Sequence, residues 1–311
     1  MAQATIDAAY PVRAGRRSLR GTLRRKSTIA VLMCLPLILL IVCLVVYPTF
    51  FSLYLASLNR KMSAFTDHDG FGNFLFLFSR PTFWAVVEQS CIFAITAVIF
   101  KSLIGFTVAH FVNNLPAKGQ RKWRGMLLVP WVIPPAMSTL AWLWLFDPSY
   151  SAFNWILARF GIGPVAWLGE VGWARFSTIL VNIWYGAPFF LIMYLAALKS
   201  VPEQLYEAAA IDGANFFQKL WYVTIPMMRN IIAITVLFSL IVTFADFDIV
   251  RILTSGGPGD QTQIFGTWAF LLGIQNNDIP LGASVSLFMF PILAVAAFFV
   301  LRGVSQRGNE A

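Results

Sequence analysis

Charge is the scarcest ingredient of this sequence. Asp, Glu, Lys and Arg make up 12% of its 311 residues, about half the roughly 25% of a typical soluble domain. An ordinary water-soluble enzyme is excluded on that count alone. Cysteine is scarce too: Cys34, Cys43 and Cys91 all lie in apolar stretches. An odd set without ligand spacing gives neither a disulfide framework nor a zinc site, so the three read as small hydrophobes. The only histidines, His68 and His110, have no second His, Cys or acidic residue at ligand spacing, and no metal site is expected. A glycine-rich phosphate loop ending in Lys-Ser/Thr is missing, so the chain has no usual means of binding ATP. No His/Asp/Glu constellation at catalytic spacing points to a membrane-embedded enzyme either.

Hydrophobic residues fill 58% of the chain, in long blocks rather than at the spacing of one helix face. A bilayer-crossing helix needs about 20 largely apolar residues. Residues 29–53, 125–146, 176–198 and 279–301 supply four such runs without a charge. Residues 86–112 and 231–250 are similarly long, but the first carries Glu88 and Lys101 and the second Asp246 and Asp248. Those four side chains must face protein or water rather than lipid. Glu88 and Lys101 stand roughly 20 Å apart along a helix and cannot pair with each other. The fold class that follows is all-α, a polytopic membrane protein with six transmembrane helices.

The formal charge of +9 would suggest a nucleic-acid partner in a soluble protein. Here its placement sets topology, and no nucleic acid is expected. Sixteen of the 23 basic residues fall on one side: the arm from Arg13 to Lys26, the loop from Lys118 to Arg124, then Lys199, Lys219, Arg229, Arg302 and Arg307. Six fall on the other: Arg60, Lys61, Arg80, Arg159, Arg175 and Arg251. The excess puts both termini and the 199–230 loop in the cytoplasm. The first apolar block is too long for a signal peptide, so it reads as a retained anchor behind a mobile basic tail, residues 1–27. Residues 28–304 form the membrane domain and 305–311 a second cytoplasmic tail.

Prolines interrupt the spans at Pro36, Pro48, Pro130, Pro134, Pro135 and Pro188. Pro134 and Pro135 remove two backbone donors at mid-span, so that helix must bend. Packing kinks and the lining of a path both account for such a cluster.

The loop between the fourth and fifth spans, 200–226, parses as two short helices. Ser200 with Glu203 makes a capping box, Pro202 fits the first turn, and Gly213 is the left-handed stop. Asn215 with Gln218 caps a second helix, whose Phe217, Leu220, Trp221 and Thr224 share one face before Pro226 ends it. Composition alone allows a loop lying on the bilayer or a knob for docking another protein, with Ala208, Ala209 and Ala210 permitting close approach and Glu207 and Asp212 at the rim.

Glu207-Ala208-Ala209, Asp212-Gly213-Ala214, Phe217 and Ile225-Pro226 resemble the EAA loop of permease subunits of binding-protein-dependent ABC importers. The likeness is to the carbohydrate-uptake group that includes maltose, trehalose and glycerol-phosphate permeases. A second stretch, Phe247-Asp248 followed by Thr254-x-Gly256-Gly257-Pro258, is similar to one typical of one of the two dissimilar permeases in such a heterodimer. The resemblance covers roughly residues 28–304. It departs at Asn230, where many members have proline, and in residues 54–83, too few for the large insertion of the maltose permease.

The resemblance implies an ABC type I importer permease fold and a subunit that translocates a sugar, polyol or glycoside across the bacterial inner membrane. Glu207, Ala208, Ala209, Asp212, Gly213, Ala214 and Pro226 would couple it to an ATPase. It implies as partners a second homologous permease, two cytoplasmic ATP-binding subunits that hold ATP-Mg, and an extracytoplasmic substrate-binding protein, with no cofactor on this chain. A carbohydrate path favours aromatic faces with amide and carboxylate partners, and Asn182, Trp184, Tyr185, Phe244 and Asp248 are candidates for it. The alternative is an ion-gradient-driven transporter or channel using Glu88, Lys101, Asp246 and Asp248.

Overall fold

The structure, a computed structural model, describes residues 26–59 and 68–308. The expected basic tail up to residue 25, Arg60, Lys61 and residues 309–311 lie outside the described residues. The chain divides into two units, Met1–Ser52 and Leu53–Ala311. In the first, α1 (Lys26–Ile41) carries Pro36 and passes through a π-helical turn (Val42–Val46) into α2 (Tyr47–Ala56), of which residues 47–52 belong to this unit. Its large apolar side chains, among them Met33, Leu37, Leu40 and Leu44, are exposed.

Among the described residues the regular structure of the second unit is helical, apart from one β-bridge between Leu58 and His68. A short α3 (Gly72–Phe78) precedes α4 (Pro81–Asn113), which starts where Arg80 turns extended and Pro81, needing no donor, takes the first turn. At about 1.5 Å per residue this helix exceeds the roughly 30 Å of a hydrocarbon core. One stripe of α4 is buried (Val86, Phe93, Ala97, Lys101), whereas Ile95, Ile99 and Leu103 are exposed. Both faces are apolar, and a helix of that kind belongs in hydrocarbon rather than water.

Among the described residues five helical stretches are long and apolar enough to cross a membrane: Met33–Ala56, Pro81–Asn113, Val171–Ser200, Phe216–Leu253 and Ile279–Arg302. The remaining expected span, 125–146, is divided. A basic, strongly amphipathic α5 (Ala117–Leu127) leads into α6 (Val129–Val132) and then α7 (Pro135–Leu145). The bend expected at Pro134 and Pro135 is a full break. A residue before proline is driven out of the helical region, and Ile133 and Pro134 are both extended, with ψ of 135°. The first turn after the break is tied by Thr139 Oγ1 donating to the Pro135 carbonyl at 2.7 Å.

After α8 (Ala152–Arg159) comes α9 (Val171–Ser200), the main partner of α4. The loop helices α10 (Glu203–Ile211) and α11 (Phe216–Lys219) follow. A π-helical turn (Leu220–Thr224) then joins α11 to α12 (Ile225–Phe244). Beyond it lie α13 (Asp248–Leu253), α14 (Phe265–Phe270), α15 (Ile279–Leu287) and α16 (Met289–Gly308). The last helix runs past residue 304, so the expected start of the second tail falls inside it.

One core cluster joins α4, α9 and α12 through Val98, Phe190, Tyr194, Leu198 and Met228. Within it the hydroxyls of Ser102 and Tyr194 share a hydrogen bond at 2.7 Å. A second cluster gathers Phe83, Phe244, Phe265, Trp268 and Val285 nearer the other end of those helices.

Candidate functional site

The 200–226 loop is built by its own capping chemistry. Ile211 ends α10, Asp212 is its C-cap, and Gly213 takes φ +75°. Gly213 N–H donates to Ala210 O at 3.1 Å and Ala214 N–H to Ala209 O at 2.9 Å, the paired bonds of a Schellman stop. Asn215 then caps α11: its Oδ1 accepts from Gln218 N–H at 2.9 Å, while Gln218 Oε1 accepts from Asn215 N–H at 2.7 Å. Glu207, Ala208, Asp212 and Gly213 are exposed, and Ala209 and Ala214 half-buried. Large apolar side chains beside them, Ile211, Phe217 and Trp221, are exposed too. Exposed apolar side chains gathered in this way mark a surface that meets another protein or the bilayer.

Three local expectations are corrected. Ser200 does not cap α10: it closes α9, its hydroxyl donating to Ala197 O at 2.7 Å, and Pro202 is the N-cap. Pro202 has the extended ψ, 133°, that a side-chain cap at Ser200 would have needed there. Pro226 does not end the second helix, because it sits in the first turn of α12, directly after the π turn. The wider turn accommodates a ring that lacks an N–H. It also changes the facing: Thr224 is buried and Leu220 half-buried while Phe217 and Trp221 are exposed, so these four do not share a face. Tyr206 and Thr224 share a hydroxyl–hydroxyl bond at 3.0 Å that ties α10 to the turn.

About 30 Å along α12 from this loop, the structure gathers a polar cluster. Lys101 from α4 is 4% exposed and donates from Nζ to Thr243 Oγ1 at 3.0 Å. Its stem lies over Gly186 of α9, where a Cβ would stand 2.6 Å from Lys101 Cε. Asp246, just past α12, interacts electrostatically with Lys101 and accepts from Asn182 Nδ2 at 2.9 Å. Lys101 thus finds its hydrogen-bond acceptor 142 residues away, a separation no local pattern reveals. Its only signal in the sequence is a lysine inside a span with no partner in reach. Glu88 is exposed.

The five candidate path residues separate. Asn182 is buried against Asp246. Phe244 is buried and its ring stacks on Phe265 at 6.3 Å, within the second core cluster. Trp184 is half-buried, edge-on to Trp142 at 5.5 Å. Tyr185 is half-buried within electrostatic reach of Asp246 and Asp248, and Asp248 itself is exposed. Trp184 also faces a cavity of about 380 Å³ with Gly105, Pro130 and Pro188. The glycine-rich stretch past α13 is fixed internally. Gly256 N–H donates to Thr254 Oγ1 at 3.2 Å, Thr262 Oγ1 donates to Gly257 O at 2.6 Å, and Arg175 Nε donates to Gln261 O at 3.2 Å. Among the described residues no group of three or more His, Cys, Asp or Glu could hold a metal ion.

Lipid-facing apolar helices, a broken span, a polar cluster shielded at mid-span and a capped contact loop at one end together define a membrane transport subunit. The family of binding-protein-dependent transport system inner membrane components matches residues 12–309, and the chain belongs to it. It is therefore a multi-pass inner-membrane subunit of a transporter, not an enzyme.

Among its relatives is the trehalose/maltose transport system permease protein MalF of Thermococcus litoralis, 30% identical over 86% of this chain and 91% of that protein. The galactooligosaccharides transport system permease protein GanP of Bacillus subtilis is 30% identical, over 89% of this chain and 70% of the relative. The sulfoquinovosyl glycerol transport system permease protein SmoG of Agrobacterium fabrum is also 30% identical, over 88% and 89%. Among solved structures, a bacterial ABC transporter involved in the import of the acidic polysaccharide alginate has a chain with TM-score 0.79 and 23% identity, over 93% of this chain and 98% of that one. The methionine ABC transporter MetNI gives TM-score 0.53 at 18% identity, over 73% and 98%. The shared architecture is the ABC importer permease fold.

Proposed function

We propose that this subunit is one of two permease halves of a carbohydrate importer, taking up a sugar, polyol or glycoside. The observation that carries the reading is that relatives matching it over most of their length are permeases named for sugars and glycosides. In this reading both termini and the 200–226 loop face the cytoplasm. Glu207, Ala208, Ala209, Asp212, Gly213, Ala214 and Pro226 dock the loop on an ATP-binding subunit, and ATP-Mg is bound by that partner. A second permease completes the path, and an external binding protein delivers substrate. Closure of the nucleotide-bound partners would reach the spans through α10 and α11. Trp184, Tyr185 and Asp248 line the path, with Asn182 and Phe244 supporting them from behind.

Co-expression with its ATPase and partner permease tests the reading. An ATP-hydrolysing complex should copurify, and Asp248→Ala and Trp184→Ala should lower sugar uptake in proteoliposomes about tenfold or less, the loss of roughly 1 kcal/mol of contact, without changing subunit stoichiometry. Failure of an ATPase to copurify, or normal uptake in both variants, overturns the docking and path assignments respectively.

A further inference from the structure

Behind the contact loop lies a second cavity of about 380 Å³, within the roughly 300–1,000 Å³ of small-molecule sites. Its walls come from four elements that meet at this end. The last turn of α4 supplies His110 and Asn113, α9 Leu198, α10 Glu203 and Tyr206, and the α11 segment Phe216 and Lys219. The His110 ring packs edge-on to Phe216 at 5.2 Å, so the second span already touches the loop here.

Several polar groups in this wall are uncommitted. His110 Nδ1 is buried without a hydrogen-bond partner. Among the described residues nothing donates to the Glu203 carboxylate or accepts from the Lys219 ammonium. One carboxylate and one ammonium leave the wall without net charge, so a singly charged ligand would meet repulsion from one of them, and a zwitterion as small as glycine would leave most of the cavity unfilled. A neutral polyhydroxylated molecule can use both, donating hydroxyls to Glu203, accepting from Lys219, and laying its C–H face on Phe216.

We propose that this cavity is a regulatory site for a neutral polyhydroxylated ligand, the chemical class of the transported carbohydrate, whose occupancy braces the loop against α4 and slows import. The proposal rests on the cytoplasmic placement of the loop, which would expose the cavity to accumulated product.

The assembled complex in lipid nanodiscs provides the test, with amide hydrogen exchange over residues 203–219 and ATP hydrolysis as readouts. Glucose and maltose serve as probes and glycine as the zwitterionic control. A sugar at ten times its Kd should slow exchange by roughly tenfold and lower hydrolysis. Glu203→Ala and Lys219→Ala should each abolish both effects, whereas Asp248→Ala should retain the protection. Absence of protection by either sugar, protection by glycine instead, or protection that survives both cavity substitutions overturns the site. Protection without slower hydrolysis overturns its regulatory role. Failure of the docking assignment shows separately, as loss of ATPase copurification while sugar protection of the permease remains.

Discussion

Lys101 places an ammonium inside the second span, where only protein can shield it. Thr243 Oγ1 accepts a hydrogen bond from it, and Asp246, held by Asn182, supplies the opposing charge. Thr243 also donates to Ser239 O at 2.6 Å, so it stays satisfied if the lysine is removed, and the cost falls on Asp246. Lys101→Met should therefore destabilise the purified complex by about 1–3 kcal/mol, read as a lower thermal midpoint. Asp246→Asn should cost a similar amount, and the double variant less than the two effects combined, by roughly 0.5–3 kcal/mol. Strict additivity would show that the two residues do not act on each other.

Among the elements, α10 with its stop invites the sharpest test. Nothing lies within 4 Å of a Cβ built at Gly213, so the glycine is required by its φ of +75° and not by space. In the left-handed region a side chain costs of order 1 kcal/mol, and asparagine is the usual exception. Gly213→Val should weaken substrate-stimulated ATP hydrolysis and ATPase copurification, while Gly213→Asn should retain both. Equal loss in both variants would instead place the docking partner against the glycine itself. The Gly213 stop and the Asn215–Gln218 box were legible in the sequence because they are local: three or four residues contain the whole mechanism. Long apolar runs were legible for a similar reason, since length and composition suffice to detect them. Pro226 was misleading because proline both ends helices and begins them, and the deciding feature is a π turn that has no residue signature. The polar cluster around Lys101 was not legible, because its members come from three distant helices. Even at Pro134 the pattern indicated a bend but not its size, which depends on how far Ile133 yields to the proline that follows.

For the whole molecule the decisive quantity is which end faces which compartment. The proposed orientation would put Lys118, exposed on α5, in the cytoplasm and Tyr150, 89% exposed before α8, on the opposite side. In a background with Cys34, Cys43 and Cys91 replaced by alanine, Lys118→Cys should react with an impermeant maleimide only after the cells are opened, and Tyr150→Cys in spheroplasts with intact membranes. Labelling of both from one side would remove the six-span topology. The exposed Ile95, Ile99 and Leu103 of α4 are then lipid contacts, and the subunit should precipitate when detergent is withdrawn without added lipid.

The π turn at Leu220–Thr224 has a geometric consequence for force transmission. Such a turn holds one residue more than the α-helical turn it replaces, and each residue of an α-helix advances about 100° around the axis. From α11 through the π turn to α12 the chain is one continuous rod, keyed at an angle that this single residue sets. Deleting Val223 should let the rod regularise and rotate the face of α11 by about 100° relative to the span, with the length and apolar character needed for insertion nearly unchanged. The expected product is a subunit that inserts and pairs normally but presents the wrong side to its ATPase, measured as membrane yield against copurification. Inserting one alanine elsewhere between residues 219 and 225 should restore the phase and, with it, the partner.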